Sequence, residues 1–306
     1  MSASSVVAPR LVGGIRSVVH SFRRARLLLN VLVALIAIFW LMPSVSLAIF
    51  SLRPEALFQQ SGWWNALLKP SELTLENYQV LLSEGLVAGG PLDSLITSFE
   101  ITVPSTILVT VIASLAAYSL VFGRWRGRGS LFLVIVGLMV VPIQVALIPV
   151  VQLYREFGSL TGFNPFGTVT GVVIFHVAFG LPFGIFLMHN FYAAIPKELL
   201  EAGRIDGADD WQLFRRLALP LGLPAAASLS IFQFIWVWND LLIALVFLGG
   251  NRHVTLTIFL FDQIRYLAAN YWIISTGGMV SIFVPLIVFF TFQRYFVRGI
   301  LAGAVK

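Results

Sequence analysis

The sequence predicts an all-α integral membrane protein of six transmembrane helices with both termini in the cytoplasm. Composition is the first reason. Hydrophobic residues make up 58%, charged residues only 11%, and mean hydropathy is +0.90. That is more apolar surface than a water-soluble core absorbs. Second, six apolar runs of spanning length alternate with polar segments, at about 27–50, 98–122, 131–153, 170–192, 224–248 and 275–293. Third, if these runs cross alternately, fifteen of the twenty Lys and Arg residues fall on one side. They occupy the N-terminal tail, the 123–130 and 189–221 loops and the last stretch. The other side holds Arg53, Lys69, Arg155, Arg252 and Arg265. Positive charge collects on the cytoplasmic side, which puts the tails and the 189–221 loop there.

Taken in order, residues 1–26 form a basic tail with Arg10, Arg16, Arg23, Arg24 and Arg26 and no acid. The apolar run that follows is longer than a signal peptide's 7–15-residue hydrophobic region, so it reads as a retained first span. Residues 51–95 are polar and acidic (Glu55, Glu72, Glu76, Glu84, Asp93), with Trp63 and Trp64 suited to the lipid boundary. The second span carries Ala113 and Ala117, a small face for close helix packing. Arg124, Arg126 and Arg128 crowd the next short loop, as topology determinants or as a lipid or partner site. The third span is expected to be one kinked helix containing Pro142, Gln144 and Pro149, and the fourth holds His176, Gly180, Pro182 and Gly184. The chain thus divides into the tail 1–26, a membrane domain 27–296 and a cytoplasmic C-terminal tail 297–306.

The longest polar interruption, residues 195–220, predicts two short helices and a joint. Pro196 suits a first helical position and Glu198 the positive helix end. Leu199, Leu200 and Ile205 make one apolar side. Gly207 can take the left-handed conformation that closes a helix, and Asp209 can cap the next. Trp211, Leu213, Phe214 and Leu217 follow before Pro220, expected to stop the second helix. Glu201-Ala202-Gly203, then Gly207, then Leu217-Ala218-Leu219-Pro220 stand at the spacing of a known pattern. The stretch resembles the EAA coupling loop of permease subunits from bacterial ABC importers. Gly203 departs from the family's second Ala and predicts a slightly looser first helix.

The resemblance narrows toward carbohydrate-uptake, maltose-transporter-like permeases. It is carried by Leu181-Pro182-Phe183, Trp238-Asn239-Asp240, Leu75-Glu76-Asn77-Tyr78, Ser114 to Tyr118, and Gln293 to Gly299 with Ala302 to Lys306. The resemblance implies a type I ABC importer permease fold in the bacterial inner membrane. It also implies an ATPase-coupling set of Glu201, Ala202, Gly203, Asp206, Gly207, Ala208, Phe214, Leu219 and Pro220. The implied partners are a second homologous permease, two ATPase subunits and an extracytoplasmic sugar-binding protein. ATP and Mg would be used by the ATPase, with no cofactor on this chain. Membrane lipid is the surrounding partner, and no nucleic acid is expected.

Catalytic and metal-binding motifs are not read in the sequence. There is no Gly-x4-Gly-Lys phosphate loop, no His-x-x-x-His pair, no Gly-x-Ser-x-Gly elbow and no Cys. The expectation is a translocation subunit and not an enzyme. Polar residues within spans are costly and tend to face the bundle interior, which nominates Asn239, Asp240, Gln233, Trp236 and Gln144 for the substrate path. Each has a structural alternative: Asp240 could pair with a helix end, Gln144 satisfy a kink, Trp236 face lipid, and His176 serve as an interhelical hydrogen bonder. An ion-coupled carrier would show midspan charge or an internal repeat, and neither is read here. A di- or oligosaccharide cargo is expected, with glycerol-phosphate-type compounds as the alternative, because no Arg or Lys is placed near the path.

Overall fold

A computed structural model describes residues 8–58, 60–83, 89–265 and 271–304, with side chains described between 26 and 293 of these. Arg10, Arg16, Arg23, Arg24, Arg294, Arg298, Glu84 and Lys306 lie outside the described side chains. Among the described residues every regular element is helical. The helices are α1 (Ala8–Ser51), α2 (Asn65–Leu68), α3 (Glu76–Ser83), α4 (Pro91–Phe122), α5 (Arg128–Leu138), α6 (Ile143–Thr161) and α7 (Val169–Ala193). They continue as α8 (Lys197–Ile205), α9 (Asp210–Leu213), α10 (Leu219–Trp238), α11 (Leu242–Leu248), α12 (Leu256–Arg265) and α13 (Tyr271–Ala304). Five stretches are long and apolar enough to cross a membrane, and the bent pair α5–α6 makes up to a sixth.

The core is α4 against α7, with α10 laid over both. Ala113 and Ala117 of α4 are fully buried. Opposite them, a Cβ built on Gly184 of α7 would stand 3.0 Å from Ala113 Cβ and 3.3 Å from Leu229 Cδ2 of α10. Small residues therefore let three helices approach closely enough for dispersion contacts to hold them where lipid gives no hydrophobic drive. The transmembrane part of α1 packs on α13 at the bundle's edge and buries none of its apolar window in this chain.

At the end of α1 the chain folds back over residues 51–83 around a buried arginine. The Arg53 guanidinium, fully enclosed, donates to the carbonyls of Ser61 and Gly62, to Ser61 Oγ at 2.6 Å and to Glu72 Oε2 at 3.1 Å. Asn77 Nδ2 donates to the carbonyls of Ser51 and Arg53, satisfying groups that the end of α1 leaves open.

Three stretches differ from the sequence reading. Where one kinked span is expected over 131–153, α5 and α6 meet at 101°. Pro142 explains the break: it takes an extended conformation (ψ 127°) as the N-cap of α6 and cannot donate to α5. Pro220 does not stop the second helix of the 195–220 loop. A π-helical turn over Phe214–Ala218 widens the backbone ahead of it, so Pro220 falls in the first turn of α10, where its missing N–H has no partner to lose. The helix leading into the fifth span consequently runs unbroken over Asp210–Trp238. It then ends ten residues before the expected boundary at 248, because Asn239 Nδ2 bonds back to the Ile235 carbonyl at 2.8 Å and Asp240 starts α11. Short polar side chains compete with the backbone ladder in this way.

Candidate functional site

The 195–220 loop is a helical hairpin, α8 then α9, closed by two separate caps. At the end of α8 the Ala208 amide donates to the Gly203 carbonyl (3.0 Å) and the Gly207 amide to the Arg204 carbonyl (3.1 Å). With Gly207 at φ +86°, this is a Schellman closure. Two residues on, the Asp209 carboxylate accepts from the Gln212 amide at 2.7 Å while Gln212 Oε1 accepts from the Asp209 amide, a reciprocal capping box. Arg204 Nη2 reaches Asp210 Oδ1 at 3.0 Å and ties the two helices across the joint.

The apolar side of the hairpin joins the bundle core. Leu200, Leu213 and Phe214 are buried together with Tyr118, Tyr192 and Ala218. Each such side chain contributes about 1.5–3 kcal/mol of burial. The Phe214 ring meets Tyr118 edge-on at 5.3 Å, and Tyr118 Oη donates to the Asp210 carbonyl. Gly203 is explained here. A Cβ on it would lie 2.6 Å from Leu213 Cδ2, so its departure from the family's Ala lets α9 press against α8. The sequence reading of a looser helix misses this contact because it lies between elements.

The nominated coupling residues fall into groups. Phe214 is buried and Leu219 half-buried, so they hold the hairpin from beneath. Ala202, Asp206, Gly207 and Pro220 are exposed, and Leu199 and Trp211 add apolar exposed surface beside them. Ala208 is half-buried at the joint. Glu201 is exposed but faces elsewhere: with Lys197, Leu200 and Arg204, spaced i, i+3, i+4 and i+7, it lines a cleft shared with the loop after α4.

The five nominated path residues do not converge on one cavity. Gln233 is 1% exposed, sealed against Gly180 between α10 and α7. Asp240 accepts from the Ile243 and Ala244 amides (3.3 and 2.9 Å), and its carboxylate lies 3.7 Å from His176 Nε2. The Asp240 carbonyl accepts from Thr257 Oγ1 at 2.7 Å, tying the break between α10 and α11 to α12. Asn239 is bonded to its own helix, and Gln144 is exposed on α6. Trp236 alone lines an apolar cavity of about 620 Å³ at the α5–α6 break, opposite Phe179 and Phe183. Phe179 is not singled out from the sequence, and Phe183 is named only within Leu181-Pro182-Phe183. Their i, i+4 spacing on a run rich in glycine and proline is the available signal.

Residues 109–302 match the family described as binding-protein-dependent transport system inner membrane component. Over 286 residues, 92% of each chain, the protein is 43% identical to the osmoprotective compounds uptake permease protein GgtD of Synechocystis sp.. It is 45% identical over 78% of its length to the alpha-glucoside transport system permease protein AglG of Rhizobium meliloti, of which 61% is covered. The fold superimposes with a TM-score of 0.72 on a chain from the crystal structure of a bacterial ABC transporter involved in the import of the acidic polysaccharide alginate. That match covers 96% of this chain and 100% of the other at 22% identity, a likeness of fold. A family match across most of the membrane bundle, together with these relatives, means that the chain belongs to the inner-membrane components of binding-protein-dependent transport systems.

Proposed function

We propose that this ABC importer permease moves a neutral sugar of di- or oligosaccharide size into the cytoplasm. In this reading it pairs with a second, homologous permease and sits on two copies of an ATPase. An extracytoplasmic binding protein delivers the cargo. The single observation that carries the mechanism is the doubly capped α8–α9 hairpin. It is fixed to the core by Leu200, Leu213 and Phe214 and presents Leu199, Ala202 and Asp206 outward. A rigid body of this kind passes on a push that a floppy loop would absorb. ATP and Mg belong to the ATPase in this scheme. The relative named for alpha-glucosides supports a sugar cargo. The relative named for osmoprotective compounds supports such compounds as the second reading. The lining of the Trp236 cavity, without a basic residue, agrees with neutral cargo over a glycerol-phosphate type.

The test is purification of the tagged chain from mild detergent, wild type beside an Ala202→Lys variant, followed by ATPase assays with a panel of sugars. Co-purification of an ATPase and a second permease, with the ATPase lost in the variant, is the expected result. Wild type that brings down no ATPase, or activity that no sugar stimulates, overturns the scheme.

A further inference from the structure

We infer that the cleft between the α4–α5 loop and α8 binds a phosphate-bearing anion, supplied by the headgroup of an anionic phospholipid in the adjacent leaflet. The inference rests on the reading of this face as cytoplasmic. The cleft, about 360 Å³, gathers Arg124 and Arg126 from the loop, Arg128 from the start of α5 and Lys197 and Arg204 from α8, with Glu201 the carboxylate in its lining and Asp210 paired to Arg204 behind it. Topology alone asks for basic residues near span ends. It does not ask for two stretches about seventy residues apart in sequence to bring five of them round one concavity, where Arg204 is paired with Asp210 and the other four, sharing one carboxylate, repel one another unless an anion neutralises them.

Two of the five are set into the wall. Arg128 Nη1 donates to the Val121 carbonyl at 2.9 Å and to that of Gly123, and Arg204 is held by Asp210. The turn between them is fixed. Gly127 sits at φ +89° and the Trp125 indole donates to the Ser119 carbonyl at 3.2 Å, so the exposed Arg124 and Arg126 flank a shaped opening. Charge-assisted bonds from preset guanidinium groups favour phosphate oxygens. The mouth also has an apolar margin. Below Arg128, α5 exposes Leu131, Val134 and Leu138 at i, i+3 and i+7, a stripe an acyl chain can follow and a soluble anion would leave unused. Basic pockets between transmembrane helices on the cytoplasmic side are where acidic headgroups bind. Access is compatible with a docked ATPase, because Ala202 and Asp206 occupy the opposite side of α8 from Lys197, Glu201 and Arg204.

The experiment uses the purified importer in neutral detergent, titrated with short-chain phosphatidylglycerol, short-chain phosphatidylcholine or inorganic phosphate, reading the thermal unfolding midpoint. Phosphatidylglycerol is expected to raise the midpoint of wild type, phosphatidylcholine to leave it unchanged. An Arg124→Gln/Arg126→Gln variant should need roughly 30-fold more phosphatidylglycerol for the same shift, with Lys197→Gln an independent second variant. A shift reproduced by inorganic phosphate assigns the site to a soluble phosphate compound, and a shift confined to phosphatidylglycerol assigns it to lipid. Equal responses to both lipids, or variants that respond like wild type, overturn the proposal. So does loss of the ATPase from the variants with the lipid response intact, which makes the arginines a contact to that subunit. If wild type carries no ATPase while its phosphatidylglycerol response depends on the arginines, the coupling scheme fails and the anion site stands.

Discussion

Gly207→Val isolates the joint of the α8–α9 hairpin. No atom lies within 4 Å of the position a Cβ would take at Gly207, so the substitution meets no neighbour and its cost is torsional. Two outcomes compete. The chain can keep the left-handed conformation, which costs an L-residue about 1–2 kcal/mol and a β-branched one more. Otherwise it leaves that conformation and gives up the Ala208 to Gly203 and Gly207 to Arg204 bonds, at about 1 kcal/mol each. The cheaper route decides, and both come to about 2 kcal/mol, roughly a 30-fold loss in the population of the closed joint. Gly207→Asn, which tolerates the same φ, should lose only a small part of this. Hydrogen exchange at the Ala208 amide reads the joint directly, and sugar-stimulated ATPase activity of the reconstituted importer reads its consequence. The valine variant should insert normally, exchange about tenfold or more faster at Ala208, and lose most of the stimulation. Valine and asparagine variants that both match wild type in exchange and in stimulation would refute the reasoning.

Three further outcomes follow from packing and capping. Gly203→Ala should overpack against Leu213 by about 1–3 kcal/mol, partly offset by about 1 kcal/mol of helix propensity. Adding Leu213→Val should restore ATPase co-purification, and strictly additive effects of the two changes would count against the contact. Arg53→Met leaves Glu72 and the Ser61 and Gly62 carbonyls without their donor, at about 3–5 kcal/mol. It should open residues 51–83 to protease added from outside to spheroplasts, whereas unchanged cleavage denies the arginine its organising role. Asp240→Ala removes the acceptor for two α11 amides and should lower the thermal midpoint by about 1–2 kcal/mol equivalent, with Asp240→Asn milder. A midpoint unchanged in both would place the stability of α11 elsewhere.

What the sequence makes legible here is what short-range chemistry decides. The closure at Gly207 and the cap at Asp209 are readable because each depends on one residue type and its immediate neighbours. Ala113 and Ala117 announce a close-packed face because nothing larger fits one. The misread places depend on context. Pro220 ends a helix in isolation, but a π turn upstream absorbs it, and no residue in Phe214–Ala218 advertises that turn. Pro142 is expected to kink one helix, but it takes an extended conformation as the N-cap of a new one, and the two meet at a 101° corner. Gln233 and Asp240 look alike in a hydropathy plot. One is sealed behind Gly180 and the other caps a helix, a difference made by residues on other helices. The basic cleft is half visible: the three loop arginines stand out, but their meeting with Lys197 and Arg204 is a tertiary fact.

One element connects the two ends of the molecule. Asp210–Trp238 is a single helical body of 29 residues, so at 1.5 Å per residue it extends about 43 Å, enough to cross a bilayer with its first turns beyond the interface. Its first residue is paired with Arg204 inside the hairpin, and its last, Trp238, donates its indole N–H to the Ser281 carbonyl of α13 at 3.0 Å. Just past that end, Asp240 holds α11 by two amides and α12 through Thr257. On the proposed reading, a push on α8 therefore moves one rod whose far end grips three other helices. Its irregular backbone is the π turn near its start, and a second irregular stretch, Asn239–Leu241, lies just past its end. Rigid-body transitions concentrate their dihedral change at such short, non-ideal stretches. The break beside Asp240, rather than the middle of the span, is then where closure at the ATPase becomes rearrangement at the outer end.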